Sequence, residues 1–300
     1  MPLRHDMRRG VVFMLAACAL FTLMSSLVKA LGDRIPFPEQ MFFRSAFAMP
    51  VVMLIVLRAN RGLSTVLRTK RLPGHLFRAL TGTMAMGCSF YALTVLPLAE
   101  HTALTNATPL FVTLLSIPFL GEKVGLHRGG AVLVGFVGIL VIAAGQGVLT
   151  GDIAGAARWG VLAAVAHGVF SAATTLLVRA LSATEPSTTI VMWQSLLMTA
   201  ITATSLPFLW VMPAPRDFAL LVMIGVLGGV AQVLLTEAWA SAQVSALAPY
   251  AYSSLLWAIL FGWVAFGDVP AWLTLAGAAL IVVASLYILH REITLGRRRR

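Results

Sequence analysis

The stretch GVVFMLAACALFTLMSSLVKAL, residues 10–31, holds no charged side chain between Gly10 and Lys29. About 20 helical residues rise roughly 30 Å, the thickness of a bilayer's hydrocarbon core. A run this long exceeds the apolar region of a secretory signal and reads as a retained membrane-spanning helix. Residues 160–181, GVLAAVAHGVFSAATTLLVRAL, lie over it at an offset of 150. Gly10/Gly160, Val11/Val161, Ala16/Ala166, Val28/Val178, Ala30/Ala180 and Leu31/Leu181 match, and Lys29 meets Arg179. Pro36/Pro186 and Ser45/Ser195 keep the same offset. Further along, an offset of 146 places Gly121-Glu122 over Gly267-Asp268 and aligns Leu110/Leu256 and Leu114/Leu260. Leu, Ala and Gly match by chance in any membrane sequence. Equally spaced basic ends, prolines and Gly-acid steps argue for an internal repeat.

The rest of the chain has the same character. Its 300 residues are 59% hydrophobic and 11% charged, against about 25% charged in soluble domains. Ten apolar spans are predicted near residues 10–31, 38–57, 75–96, 98–120, 126–145, 157–181, 187–210, 217–241, 244–266 and 271–290. The fold class is all-α membrane protein, since a barrel would show short alternating strands. The Gly-rich stretch 145–155 divides the chain, with residues 1–148 and 149–300 as the two repeats. Five spans per half is an odd number, so the second half enters the membrane inverted, a plan that lets one central cavity open alternately to each side.

Charge orients the chain. Sixteen Lys and Arg fall in the tails and on one set of loops; only Arg34, Arg158 and Arg216 fall on the other. The positive-inside rule then puts both termini in the cytoplasm. Trp159, Trp210 and Trp272 sit near span ends, as interfacial tryptophans do. The net charge of +11 follows this loop pattern and does not point to nucleic acid; the arginines at 297–300 suit anionic headgroups. Cys18 and Cys88 both lie inside spans and suggest neither a disulfide framework nor a metal site.

The two five-helix halves, Arg44 in the second span, and LTNATPLFVTLLSIPFLGEKV (104–124), with Pro109 mid-helix and Gly121-Glu122-Lys123 at its end, resemble the drug/metabolite transporter superfamily in its EamA-type ten-helix members. The second half carries a weaker echo, with Leu255 where the first has Pro109. Within that superfamily the chain is similar to the YddG-type exporters of aromatic amino acids. The resemblance implies a basket of helices around a cavity, with the fifth and tenth spans outside it, and export across a bacterial inner membrane. It implies no cofactor.

Polar side chains agree about which spans are peripheral. The fifth and tenth spans have long stretches without them. Ala131, Gly135 and Gly138 permit close helix contact, either in a homodimer through spans five and ten or within the monomer. Polar and aromatic residues gather elsewhere at spacings of three and four, which share a helical face. Candidate cavity residues are Tyr91, His101, Thr105, Asn106, Thr108, His167, Ser171, Gln232, Trp239, Tyr250, Tyr252, Ser253 and Trp257. For each Ser or Thr alone, bonding back to its own helix is the plainer role; for a Trp or Tyr it is packing. Together the aromatics suit stacking on an aromatic or cationic solute. Pro109 and Pro249 are candidate helix breaks, and Pro109 frees a carbonyl that needs a partner.

Charges within spans cost roughly 2.5–3.5 kcal/mol on insertion scales, which makes them informative. Lys29 and Arg44 are expected to pair with Glu39 or Glu100 at an outer gate, and Arg179 with Glu237 at an inner one. The alternative is that Lys29, Glu39 and Arg179 reach out to headgroups. His101, His167 and Glu237 are candidates for proton coupling.

The function this supports is a secondary transporter exporting small solutes, amino acids above all. A carrier of sugar phosphates or nucleotide sugars ranks lower, because only Arg44 is placed to meet a phosphate. An intramembrane enzyme would need a nucleophile with its base or a ligand cluster. The chain shows no HExxH, GxSxG or phosphate-binding glycine loop. A non-transporting scaffold is the third class.

Overall fold

The computed structural model describes residues 7–58, 67–120, 125–147, 155–241 and 244–298. The Gly121-Glu122-Lys123 step and the linker 148–154 lie outside the described residues, as do the side chains of Trp239 and of the basic tail. Helices occupy all ten expected places. The first is Met7–Leu31, the second Phe37–Arg58 and the third Leu72–Val95. The fourth is broken into Leu98–Thr105 and Thr108–Leu120, and the fifth is Leu126–Gly145. The sixth is Gly155–Ser182, the seventh Ser187–Ala203 and the eighth Pro215–Ser241. The ninth is broken into Val244–Ala251 and Ser253–Phe266, and the tenth is Trp272–Arg298.

Among the described residues, seven stretches are long and apolar enough to cross a bilayer, within spans one, four, five, six, eight, nine and ten. The second and third spans carry Glu39, Gln40, Arg44, His75 and Arg78, and the seventh is short. The second and third spans bury Glu39, Gln40, Ser45, His75 and Arg78 in the interior.

The packing has the exchange symmetry of a repeat. The first span lies along the eighth, and the third along the sixth. First against ninth is answered by sixth against fourth, and second against eighth by seventh against third. The pairs two and seven, four and nine, and five and ten map onto themselves. With neighbours antiparallel and five spans per half, the second repeat runs opposite to the first.

Small residues set the closest approaches. On the eighth span a Cβ on Gly225 would stand 2.3 Å from the Phe47 Cβ, and one on Gly229 3.0 Å from the Val51 Cβ. Between the fifth and tenth spans, a Cβ on Gly138 would meet the Gly277 carbonyl at 2.7 Å, and one on Gly277 the Gly138 carbonyl at 2.6 Å. Gly135 faces Leu110, and Ala131 is buried in the adjoining core. The small face proposed above for contact between helices is therefore used inside the monomer. The opposite faces, Leu133, Val137 and Leu140 on the fifth span and Leu275 and Val283 on the tenth, are exposed and suited to lipid.

The two breaks fall at corresponding places. Pro109 has no N–H for the Thr105 carbonyl, and that carbonyl accepts the Thr108 hydroxyl at 2.8 Å instead. In the ninth span the break is at Tyr252, three residues beyond Pro249, where the Tyr252 N–H donates to the Pro249 carbonyl at 3.3 Å. The breaks meet through Asn106 Nδ2, which donates to Ser254 Oγ at 3.3 Å.

Candidate functional site

Charged groups gather at both ends of the bundle. At the end away from the chain termini, Lys29 Nζ donates to Asp268 at 2.7 Å and to the Leu96 carbonyl at 3.3 Å, and lies over the Phe266 ring. The side chains of this ion pair are 17% and 31% exposed. Asp268 is in place because Gly267, at φ 70°, ends the ninth span in a left-handed turn. The Gly267 and Asp268 N–H groups close it on the Trp263 and Gly262 carbonyls. Lys29 thus ties the first span to the ninth. It does not pair with Glu39 or Glu100, as the sequence led one to expect. Glu39 is wholly buried and accepts the Val211 N–H at 3.0 Å. Glu100 accepts the Thr274 hydroxyl at 2.9 Å. Arg34 pairs with Asp217 at 3.2 Å.

At the termini end the tightest cluster is one the sequence reading passed over. His75, fully buried at the start of the third span, meets Glu185 Oε2 at 2.6 Å. The Thr69 hydroxyl also donates to Glu185, and Trp193 stacks on the His75 ring with centroids 6.0 Å apart. Arg71 donates to the Ala180 carbonyl and the Thr184 hydroxyl, both at 3.2 Å. Burial pushes the Glu185 carboxyl up, but hydrogen bonds from Thr69 and His75, the His75 charge and the Lys70 N–H together outweigh it, and the pKa falls below the ordinary carboxylate value. Glu237 pairs with Arg9 at 3.5 Å, in place of the Arg179 expected, and both side chains are about half exposed. Arg179 is exposed at the end of the sixth span.

Between these ends a small cavity opens among the second, seventh and eighth spans. Its polar lining is Arg44, Ser45, Gln194, Ser195 and Gln232. Arg44 and Ser45 occupy the repeat positions of Gln194 and Ser195, so the cavity lies where the two halves exchange. Behind it Arg78, 7% exposed, donates to Gln194 Oε1 at 2.6 Å. Arg78 lies within one turn of the predicted start of the third span and so stood out less than Arg44; the helix starts earlier, at Leu72, which carries Arg78 further inside.

Of the other cavity candidates, two histidines come together around the third span. His101 Nε2 meets Ser89 Oγ at 2.8 Å, and His167 Nδ1 donates to the Ala85 carbonyl at 2.9 Å. Thr105 and Thr108 bond back to their own helix. Trp257 stacks on Phe261 and packs in an apolar cluster with Met14 and Cys18, Tyr91 meets Phe37 edge-on, and Tyr250 is exposed. Tyr252, Ser253 and Ser171 are half-buried. Gln232 alone of that set lines the cavity beside Arg44.

Comparison with known proteins agrees with this architecture. The pattern of the EamA-like transporter family matches residues 8–144 and again 158–290. A pseudopaline exporter of Pseudomonas aeruginosa is 32% identical over 93% of this chain and 95% of its own length. A riboflavin transporter of Vibrio cholerae is 29% identical over 100% of this chain and 99% of its own. An S-adenosylmethionine uptake transporter of Rickettsia felis is 28% identical over 88% and 86%. A solved crystal structure superposes with a TM-score of 0.65 over 97% of this chain and 98% of its own, at 20% identity.

Proposed function

We propose, from the premise that this chain belongs to the EamA-like transporter family, that it exports small organic solutes from a bacterial cytoplasm by alternating access, and that amino acids, aromatic ones among them, are its substrates. One observation carries the mechanism. The packing is symmetric under exchange of the halves, yet the ionic ties at the two ends differ. Lys29–Asp268 fastens the end away from the termini, and His75–Glu185 draws the third span to the connection between the sixth and seventh. In the alternating scheme one tie opens as the other closes, and the cavity beside Arg44 faces each side in turn. The resemblance to YddG-type proteins and the similarity to the Pseudomonas exporter support the outward direction.

The test is uptake of labelled amino acids into proteoliposomes holding the purified protein, with and without a pH gradient. Saturable flux of aromatic amino acids is the expected result. Zero flux above empty liposomes, in a sample whose folding is verified, counts against amino acids as cargo. Reporter fusions at each terminus test the orientation, with both ends expected in the cytoplasm.

A further inference from the structure

The geometry points to an oxyanion subsite at Arg44, built to hold a single carboxylate or phosphate-type group in the cavity between the second, seventh and eighth spans; the inference rests on the transport reading above for the identity of its main occupant. Arg44 is deep in its helix, and its Nε is buried without an acceptor. None of the acids expected or found near the outer end pairs with it: Glu39 accepts the Val211 N–H on one oxygen, Glu100 accepts the Thr274 hydroxyl, Asp217 pairs with Arg34 and Asp268 with Lys29. Among the described residues, therefore, no acid neutralises this cation. A guanidinium out of bulk water and without a counter-ion is strongly unfavourable unless something it binds supplies the charge.

The cavity's other groups fit the same ligand. Ser45, 2% exposed, has an Oγ with no partner. Gln194 has its carbonyl oxygen taken by Arg78 at 2.6 Å, which leaves its amide N–H groups to face the cavity; one reaches only the Met198 sulfur, at 3.4 Å. Sulfur is a weak acceptor that an oxyanion would displace. Ser195 adds a hydroxyl and Gln232 an amide, and no carboxylate lines the space. Arg78 thus acts as a positioning residue: it orients Gln194 as a donor and adds a second positive charge behind it. Gly228 keeps the site open, since a Cβ there would stand 3.3 Å from Arg44 Nε and 2.9 Å from the Met24 sulfur. Planar guanidinium donors match carboxylate and phosphate oxygens in paired hydrogen bonds.

The experiment reads binding through thermal unfolding, so it is separate from flux. The full chain, its Arg44→Gln variant and its Arg44→Lys variant are placed in phosphatidylcholine nanodiscs. Each is titrated with the twenty amino acids, with their C-terminal amides, and with inorganic phosphate, and each is also prepared in discs doped with phosphatidylglycerol. The expected result is that one or more amino acids raise the unfolding temperature while the matching amides do not. In Arg44→Gln the apparent affinity for those acids falls roughly ten- to a hundredfold, the range for losing a charge-assisted hydrogen bond, and Arg44→Lys retains part of it. An Arg44-dependent shift with phosphate or phosphatidylglycerol, and with no amino acid, keeps the oxyanion subsite and names a phosphate or a lipid headgroup as its occupant. Should Arg44→Gln not fold, Gln194→Leu and Arg44→Lys give the same comparison. If no oxyanion gives a shift that depends on these residues, the subsite is overturned. Zero amino-acid flux in liposomes with an intact Arg44-dependent shift counts against amino acids as cargo and leaves the subsite standing.

Discussion

Asp268 shows how a single residue becomes a tie between spans through its neighbour. The sequence marks it only as the acid of a Gly-acid step, and its approach to Lys29 depends on the left-handed turn at Gly267 and on the first span lying beside the ninth, which no local pattern encodes. Because both side chains are less than a third exposed, their coupling should exceed that of a surface pair. Lys29→Gln and Asp268→Asn should each destabilise the protein, and a double-mutant cycle on unfolding in detergent should give a coupling of about 1–2 kcal/mol. Strict additivity of the two changes would mean the pair does not tie the spans. Glu185 makes a second residue-level prediction, in pH. Its folded pKa lies below its ordinary value of about 4.5, so its contribution is complete above that value and is lost as pH falls through the folded one. Glu185→Gln should therefore lose unfolding temperature at pH 7, with the difference from the parent shrinking as pH falls through the folded carboxyl's lowered pKa, as a thermal scan with decreasing pH would read. Arg44 was legible from the start because a cation in an apolar run stands out. His75 was not: it sits at a span's edge, and only the fold brings Glu185 and Trp193 to it.

At the scale of helices, all ten places were legible in the apolar pattern, seven of them by length and apolarity alone, and the breaks in the fourth and ninth from their prolines. Which faces meet could not. Ala131, Gly135 and Gly138 announce a close contact, but whether another chain or the tenth span fills it depends on Gly277, 139 positions further along the sequence than Gly138. Gly277→Ala should force the fifth and tenth spans apart, since its methyl would lie 2.6 Å from both the Gly138 carbonyl and the Ile142 Cγ1. The expected loss is about 2 kcal/mol of stability, measured by denaturation in mild detergent, with Gly125→Ala, where the added methyl meets open space, as the silent control. Thr108→Val tests the break in the fourth span. It removes the hydroxyl that satisfies the Thr105 carbonyl and should cost about 1 kcal/mol. Unchanged stability would mean that carbonyl is satisfied in another way.

For the molecule as a whole, the main contacts cross between the halves, first span on eighth and third on sixth, so neither repeat has a separate core. Residues 1–148 or 149–300 expressed alone should aggregate or be degraded, whereas co-expression should restore a complex with an unfolding temperature near that of the intact chain, read by size-exclusion and thermal scans. A half that folds alone would contradict this account. The inverted order of the spans was legible from their odd number, but the pairing was not, because every apolar helix offers several faces. Exchange symmetry has one further consequence. If transport follows the proposed alternating access and each helix interface has a mirror counterpart in the other half, the inward- and outward-open forms would be built from nearly the same kinds of contact, and most of their free energies would cancel. The resting population would then be set by the few positions where the halves disagree, such as lysine against arginine at 29 and 179, or aspartate against glutamate at 268 and 122. A difference of about 1.4 kcal/mol shifts such a balance tenfold, so under that proposal one conservative exchange at either end would be enough to change which side the protein faces at rest.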